Sequence, residues 1–286
     1  MNPKSIIFKI FLVYFAICYS RQVPASEVNT QQGEISVLTY NIAGLPDWIS
    51  KSTPSINIPI ISPLINQYDI VLIQEDFEFH EALDLKATHA YRSMTMMKPL
   101  LLNTDGLNRY AKKRFIDFTR IRWNDCHGYF RAANDCLAHK GFTLARHEIA
   151  QDLYIDIYNL HADAGRHKGD KESRQKEFSQ LEEFISIHSK GNALIIGGDT
   201  NLKSTDKFDE INLLEFLEST NTTVVARELN QLPDLIDRIM YRSSSELTLS
   251  PERRYIAPEF IDRNNDPLSD HPALVVEFSW HNTKVH

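Results

Sequence analysis

The chain has 286 residues, 42% of them hydrophobic, and its 31 basic and 38 acidic residues give a formal net charge of −7. This length and composition can bury a substantial core and fit one large α/β or sandwich domain better than two small ones. The acidic balance argues against a protein that depends on non-specific attraction to nucleic acid, which rests on clustered lysine and arginine.

The N-terminus has the pattern of a signal peptide. Lys4 and Lys9 precede or interrupt an apolar run at 10–19. That run has the length of a signal-peptide apolar region and is too short to span a membrane as a helix. The alternatives are an uncleaved anchor and a buried first helix.

Small residues up to Ala25 offer a cleavage site, with Ser20 as the second choice. We therefore expect residues 1–25 to be a signal peptide, 26–286 to form a single domain, and the protein to be secreted or periplasmic. Removal of 1–25 would take away three basic residues and no acid, which moves the charge from −7 to −10.

The first two predicted strands end in polar side chains. Residues 34–41 alternate polar and apolar side chains, as a half-buried strand does, and end at Asn41. A near-continuous apolar strand at 68–75 ends at Glu75, whose carboxylate would project from the rim of the sheet and suits a hard cation. A turn asparagine and a solvated glutamate are the alternatives for these two residues.

Helices and loops separate the next strands. Ser62 and Pro63 predict the start of a short helix that reaches Gln67. Residues 78–88 look helical, whereas 92–118 form a mixed region to which the pattern assigns no role.

Two cysteines remain once the signal peptide, which contains Cys18, is set aside. Cys126 and Cys136 lie close in sequence. In an oxidising compartment a disulfide between them is the expected state. The alternative, a two-cysteine metal site, lacks further thiol ligands.

A strand at 141–146 is followed by one at 153–161, which alternates over its length and ends at His161. An imidazole at a strand end beside acids is a candidate phosphate ligand or proton donor. A surface histidine is the alternative. Helical spacing then predicts covering helices at 170–190 and 207–219.

Between those helices lies the stretch 193–201, an apolar run that ends in two glycines, an acid and an amide. Because side chains alternate along an extended chain, Asp199 and Asn201 point to the same side. Together they could hold a water and a phosphoryl oxygen, or share a metal. An ordinary strand that ends in a polar turn is the alternative.

The last part of the chain contains two more strands. The strand at 235–241 carries Asp237 in its body, and a buried acid needs a partner. The final strand, 273–280, is preceded directly by Asp270 and His271.

Polar residues thus recur where apolar strands begin or end. These residues are Asn41, Glu75, His161, Asp199, Asn201, Asp270 and His271. Acids, amides and imidazoles without a serine or cysteine nucleophile indicate a hydrolytic site for a phosphoester that uses a divalent cation.

Six short motifs occur in a fixed order over residues 34–280: Thr39-Tyr-Asn41, Gln74-Glu75, Asn159-Leu-His161, Gly198-Asp-Thr-Asn201, Ile236-Asp237 and Ser269-Asp-His271. This ordered set resembles the endonuclease/exonuclease/phosphatase superfamily, which has the deoxyribonuclease-I-like fold. The segments Asp105-Gly-Leu-Asn108 and 135–142, together with the export signal, look more like secreted sphingomyelinase and phospholipase C relatives than like nucleases.

The resemblance implies a fold and a metal site. The fold is a four-layered α/β sandwich, in which two mainly antiparallel sheets pack face to face between helices, and 26–286 would be its catalytic domain. Glu75 with Asn41 would hold Mg²⁺, or Mn²⁺ or another divalent cation in its place, and Asp270 would support the metal or its water shell.

The resemblance also implies catalytic roles. His271 would take the proton from the attacking water, and Asp237 would orient its ring. Asp199 would position that water, while Asn201 and His161 would donate hydrogen bonds to the phosphoryl oxygens.

Three residues depart from the family pattern. Thr200 stands where a bulky apolar residue is usual, Arg238 follows Asp237 in place of an aromatic residue or histidine, and Asp76 adds a charge beside Glu75. The sequence also lacks the exposed paired-aromatic hairpin of membrane-lytic sphingomyelinases.

We therefore expect a secreted Mg²⁺-dependent phosphodiester hydrolase of the sphingomyelinase or phospholipase C type. It would be a monomer that favours phospholipid head groups and contacts the membrane peripherally. The alternatives are a secreted deoxyribonuclease-I-like endonuclease, with nucleic acid as substrate, and a non-enzymatic binding module on the same scaffold.

Overall fold

The computed structural model describes residues 31–98, 103–129, 135–231 and 234–283. The predicted signal peptide, residues 1–25, lies outside the described residues. Within them, no helix combines the length and apolar character needed to cross a membrane.

Twelve described strands form two six-stranded sheets. The first sheet, in the order β11-β12-β1-β2-β4-β3, contains β1 (Gln32–Asn41), β2 (Ile70–Gln74), β3 (Tyr91–Arg92), β4 (Asn108–Ala111), β11 (Leu247–Ile256) and β12 (Leu274–Asn282). The second, in the order β5-β6-β7-β8-β10-β9, contains β5 (Phe115–Arg122), β6 (Gly141–Ala150), β7 (Leu153–His161), β8 (Leu194–Asp199), β9 (Thr223–Val224) and β10 (Asp237–Arg242).

Each sheet contains one parallel pair, β1 with β2 and β7 with β8, and its other pairs are antiparallel. The described α-helices are α1 (Pro54–Leu64), α2 (His80–Asp84), α3 (Lys168–His188), α4 (Lys207–Thr220) and α5 (Val225–Glu228). The predicted fold of two mainly antiparallel sheets between helices is therefore confirmed.

Alternation along the strands produces three apolar layers. On β1, Ile35 and Val37 face the second sheet and pack with Ile157 and Ile195 in the core between the sheets. The intervening side chains of β1, such as Leu38, face outward and pack with α1. A third core joins the outer face of the second sheet to α3 and α4. Central strands are therefore buried on both faces, which explains their near-continuous apolar runs.

The prediction that a helix starts at Ser62 is wrong. The helix begins just over two turns earlier, at Pro54, and Ser62 is buried inside it, where its hydroxyl donates to the Leu83 carbonyl at 2.6 Å. Between β1 and β2 the sequence contains two pairs of a hydroxyl residue and a proline, and the first pair, Thr53 with Pro54, marks the start of the helix.

Strand β11 was not predicted. Its pattern is interrupted by Pro251, and the register with β12 shifts between Pro251 and Arg253. Proline removes a ladder hydrogen bond, which only an edge strand or a bulge tolerates, and β11 is an edge strand.

The predicted disulfide is confirmed, since Cys126 and Cys136 are bonded with their Cα atoms 5.4 Å apart. The bond lies in the connection between β5 and β6. That connection also contains a short 3-10 helix, Asp135–Leu137, close to the polar strand ends.

Candidate active site

The first sheet delivers two polar side chains to one edge. Asn41 is the last residue of β1, and its register partner on the parallel strand β2 is Gln74. Glu75 follows β2 directly. Because parallel strands end at the same edge of a sheet, Asn41 and Glu75 leave the sheet side by side.

The second sheet places three functional groups in one row. His161 on β7 is in register with Asp199 on β8, and Asp199 is in register with Asp237 on β10. Asp237 is the first residue of its strand, not a residue of its interior as the pattern predicted. The row lies at the polar end of the sheet that meets Asn41 and Glu75.

Hydrogen bonds join the two sheets at this edge. The Asn41 Nδ2 atom donates to Glu75 Oε1 at 3.0 Å and to Asp199 Oδ2 at 3.2 Å. His161 Nε2 lies 3.7 Å from each of the same two oxygens. One carboxylate from each sheet therefore faces a shared centre, which we call the acid cluster (Glu75 and Asp199).

The backbone is strained where it presents these groups. Glu75 has φ of +59°, Asn201 +49° and Ala43 +48°. Left-handed conformations are unfavourable for residues other than glycine and concentrate at functional sites. The Ala43 N–H donates to Asn41 Oδ1 at 3.1 Å, so the amide nitrogen of Asn41 is the atom that faces the acid cluster.

His271 reaches the acid cluster from the loop before β12. Its Nδ1 lies 3.0 Å from both oxygens of Asp237, and its Nε2 lies 3.8 Å from Asp199 Oδ2. Ser269 fixes this loop, because its hydroxyl donates to the Asn41 carbonyl at 2.7 Å and accepts from the His271 N–H at 3.3 Å. Asp237 thus orients the imidazole through Nδ1, and Nε2 faces Asp199 and can exchange a proton with a ligand.

The electrostatics follow from burial and from the excess of acids. Burial would lower the pKa of His271, but the hydrogen bond to Asp237 and the charges of Asp199, Asp237 and Asp270 raise it to about 10. Burial raises the pKa of Glu75, and burial with the charge of Asp237 raises that of Asp199 to about 6.

His161 is buried and neutral. Burial, Lys140 and His271 together hold the pKa of His161 well below its usual value. Its Nδ1 atom is buried and has no hydrogen-bond partner among the described residues. A neutral ring can donate from Nε2 to a carboxylate oxygen or to a ligand oxygen that lies beside the acid cluster.

Lys140 is a residue of the site that the sequence reasoning missed. It is buried, its Nζ lies 2.6 Å from Asp135 Oδ1 and 3.3 Å from the Ala162 carbonyl, and its charge acts on both members of the acid cluster. Burial opposes its charge, but Asp135 and Glu75 raise its pKa further, so it is a fixed cation. Its position in the segment 135–142, just before β6, is the feature of the sequence that could have identified it as a site residue.

Asn201 and Asp270 lie less centrally than the resemblance implies. The Asn201 amide donates to the Ala162 carbonyl at 3.0 Å, which leaves its second N–H for a ligand, and its backbone N–H donates to Asp199 Oδ1 at 3.0 Å. Asp270 is exposed, and its charge acts on His271 and Tyr40. Asp270 is therefore near the imidazole and not in the acid cluster.

Two groups of donor atoms could hold a cation. Asp199, Asp237 and His271 have one donor atom each within 4.8 Å of one another. A cation there would compete for Asp237 with the hydrogen bonds from His271. The acid cluster fits a hard cation better, because Glu75 Oε1 and Asp199 Oδ2 both face the Asn41 amide and the ring of His161, and neither belongs to the pair of His271 and Asp237.

A cavity of about 280 Å³ opens beside the acid cluster. Its polar wall consists of Glu75, Asn103, Asp135 and Lys140. The rest is mainly apolar and is lined by Leu45, Ile49, Phe77, Leu137, Ala138 and Ala164. A ligand with a charged end and an apolar body would match both walls.

Two of the departures from the family pattern compensate for each other. Arg238 is buried, and its guanidinium donates to the Thr200 hydroxyl, to the Leu202 carbonyl at 2.7 Å and to Asp234 at 2.7 Å. Thr200 in turn donates to the Ile236 carbonyl at 2.7 Å. The pair ties the loop after β8 to the start of β10, which holds Asp199 beside Asp237.

Asp76, the third departure from the family pattern, interacts with His80 and Asn108. Asp76 Oδ2 is 2.6 Å from His80 Nδ1 and accepts from Asn108 Nδ2 at 2.7 Å. Its side chain points away from the centre of the acid cluster and lines a neighbouring cavity with Phe77 and His80.

Comparison with known proteins gives consistent results. A model described as the Endonuclease/Exonuclease/phosphatase family matches residues 38–271. A sphingomyelinase of Mycobacterium tuberculosis is 29% identical over 275 residues, which cover 88% of this chain and 54% of the relative. The chain thus spans about half the length of that curated relative.

Solved structures share the fold. The structure of SmcL superposes with a TM-score of 0.64 at 14% identity and covers 86% of this chain and 99% of its own. A beta toxin from Staphylococcus aureus, whose crystal contains bound magnesium ions, gives a TM-score of 0.61 at 13% identity and covers 88% and 100%.

Proposed function

This chain belongs to the endonuclease/exonuclease/phosphatase family, and from that premise we propose that it is a divalent-cation-dependent phosphodiester hydrolase that cleaves phospholipid head groups. The observation that supports hydrolysis is the acid cluster, which two sheets assemble beside the hydrogen-bonded pair of Asp237 and His271. The similarity to sphingomyelinases and the half-apolar cavity beside Glu75 favour sphingomyelin as the substrate.

Glu75 and Asp199 would hold the cation, which would neutralise charge on a non-bridging phosphoryl oxygen. We propose Mg²⁺ for this place, because carboxylate oxygens suit a hard cation, with Mn²⁺ as an alternative. We also propose that the protein is exported, and the disulfide between Cys126 and Cys136 supports this.

The chain's own residues would position water and substrate. His271 Nε2 would take the proton of the attacking water, while Asp237 stabilises the imidazolium that forms. Lys140 would contribute a fixed positive charge close to the phosphoryl group, and His161 Nε2 and the second amide N–H of Asn201 would donate hydrogen bonds to it.

The raised pKa of His271 is compatible with this role. Without a cation its pKa is about 10, so the ring is protonated at neutral pH. A cation beside Asp199 would oppose one of the charges that raise the pKa, which lowers it toward the range of a general base.

The test is release of phosphocholine from sphingomyelin micelles by the wild type, with Mg²⁺ and with EDTA. His271→Ala should reduce the rate by about 10²–10⁴, because it removes the general base. His281→Ala is the matched control, since this histidine is exposed on β12, and it should leave the rate unchanged. Wild type that releases no head group at any Mg²⁺ concentration, or that only nicks plasmid DNA, would refute the lipid assignment.

A further inference from the structure

Four large apolar side chains stand in solvent at the end of the molecule that carries the site. Trp48 is 85% exposed and Ile49 49%, on the loop after β1. Met94 is 85% exposed and Met97 89%, on the loop after β3. We call these four residues the apolar rim. Trp48, Met94 and Met97 are the most exposed large hydrophobic residues of the described chain.

Hydrogen bonds place the two loops on either side of the segment that follows Glu75. The Gly44 N–H donates to the Glu75 carbonyl at 3.0 Å, and the Glu78 N–H donates to the Gly44 carbonyl at 3.1 Å. From the other side, Lys98 forms an ion pair with Glu78. The loop that contains Trp48 and the loop that contains Met97 therefore flank the same short segment.

The cavities agree with this placement. Ile49 lines the cavity that contains Glu75 and Lys140. Met96 and Lys98 line the neighbouring cavity, and Phe77 forms a wall of both. The two loops that carry the apolar rim therefore lie beside these adjacent cavities, one of which contains Glu75.

The charges beside the rim complement lipid phosphates. Lys51 is exposed three residues after Trp48, and Lys98 follows Met97 directly. Close by, the Asp47 carboxylate accepts two hydrogen bonds from Ser55, and Glu78 and Lys98 pair with each other, so Lys51 is the rim cation that we assign to a lipid phosphate. Tryptophan and lysine together are typical of side chains at the level of lipid head groups.

We infer that the apolar rim docks on a zwitterionic phospholipid bilayer. Trp48, Ile49, Met94 and Met97 enter the head-group region, and Lys51 meets phosphate groups beside them. The net charge of −7 disfavours attraction to an anionic surface, so burial of apolar side chains drives the binding. The inference rests on the proposed function, because docking brings lipid head groups to the cavity beside Glu75.

Trp48 itself reports the docking. The chain has three tryptophans, and the other two, Trp123 and Trp280, are each only 5% exposed. A change in the polarity around an exposed indole on vesicle addition therefore comes from Trp48. The binding experiment uses the His271→Ala variant, which prevents hydrolysis, and vesicles of equal parts phosphatidylcholine and sphingomyelin.

We expect a blue shift of the emission, protection from acrylamide and co-sedimentation with the vesicles. Met97→Ser should weaken vesicle partitioning roughly tenfold, because one buried apolar side chain is lost. Leu85→Ser is the matched control. Leu85 is 77% exposed but lies next to the helix end at Asn66, before β2 begins, and so at the opposite end of the sheet from Glu75.

A second assay separates this inference from the proposed function. Hydrolysis of a soluble short-chain sphingomyelin tests the chemistry alone, and Met97→Ser should leave that rate unchanged while it slows hydrolysis in vesicles. If soluble lipid is cleaved but Trp48 emission is unchanged by vesicles, the docking inference is refuted and the chemistry stands. Equal losses in Met97→Ser and Leu85→Ser, or binding only to anionic vesicles at low salt, would also refute it.

Discussion

Buried carboxyl groups surround the acid cluster, and Lys140 is the buried cation that several of them share. Its charge acts on Glu75, Asp199, Asp163 and Glu177, and it pairs directly with Asp135. Two of these acids, Asp163 and Glu177, each keep one buried oxygen without a partner among the described residues. Burial and then the charge of Asp163 raise the pKa of Glu177, whereas the pKa of Asp163 is raised by burial and the charge of Asp135 and is lowered by its hydrogen bond with Glu177.

This pair predicts a pH dependence of stability. Burial, followed by the charge of Asp163, raises the pKa of Glu177 well above its usual value. The folded protein therefore holds a proton that the unfolded chain loses above its own pKa, and the free energy of unfolding falls as pH rises from about 4.5. Glu177→Gln removes this loss, so the variant should gain stability relative to wild type between pH 5 and pH 8.

Urea unfolding at the two pH values measures the effect. Glu183→Gln is the matched control, because Glu183 is an exposed residue of the same helix. A stability difference between Glu177→Gln and wild type that is the same at pH 5 and pH 8 would contradict the expected protonation of Glu177.

At the scale of elements, the connection between β5 and β6 positions Lys140 at the site. Its disulfide lies next to Asp135, which holds Lys140, and Asp135 Oδ2 also accepts from the Ala164 N–H at 3.0 Å. The loop is further fixed by the Cys136 N–H, which donates to the Gly128 carbonyl at 3.0 Å. A cross-linked loop thus positions a cation of the site.

Removal of the disulfide should affect both stability and activity. In Cys126→Ser with Cys136→Ser, the free energy of unfolding should fall by about 2–3 kcal/mol, because the unfolded chain regains the freedom of the closed loop. Activity should fall as well, since Asp135 no longer fixes Lys140. Urea unfolding and the phosphocholine assay measure the two effects, and reduced wild type should behave like the variant. Equal stability with and without the bond would contradict this account.

A comparison of predicted and observed elements shows which ones the pattern of apolar residues can define. Long apolar runs with clear stops, such as β7 and β8, were predicted within one or two residues. The start of α1 and the whole of β11 were not, because a proline is compatible with a helix start, a helix interior or an edge strand, and only the neighbouring elements select one of these.

For the molecule as a whole, the acid cluster lies where the polar ends of the two sheets meet. Glu75 follows a strand of the first sheet and Asp199 ends a strand of the second, and Asn41 hydrogen-bonds to both. Without a cation, the partly buried carboxylate of Glu75 and the buried carboxylate of Asp199 repel each other between the two sheets. A bound divalent cation would therefore hold the two sheets together.

Divalent cation should consequently raise the thermal stability of the protein. Ligand that binds only the folded state stabilises it by about 2.7 kcal/mol at a concentration of 100 times its dissociation constant. Mg²⁺ should raise the Tm of wild type, and Glu75→Gln should lose most of this response because one ligand charge is gone. Glu81→Gln, an exposed acid of α2, is the control. A Tm that EDTA and Mg²⁺ leave unchanged in wild type would contradict a cation at the acid cluster.

The sequence by itself determined the class of fold and the chemical types gathered at the site. Alternating and continuous apolar runs depend on local periodicity, and polar residues at strand ends need only a shared edge to meet. For that reason the strands, the disulfide and the acids, amides and imidazoles of the site could be predicted from residues and their order, whereas the two-sheet sandwich was implied by the resemblance that the ordered motifs carry.

Only the tertiary structure decided which of these groups face one another. Asn41 and Asp199 are 158 residues apart, and their hydrogen bond depends on how one sheet lies on the other. The same packing buried Lys140 beside Glu75, left Asp270 exposed, and set Arg238 against Thr200. Such contacts are fixed by register and by the distance between sheets, and neither quantity is present in a local pattern of residues.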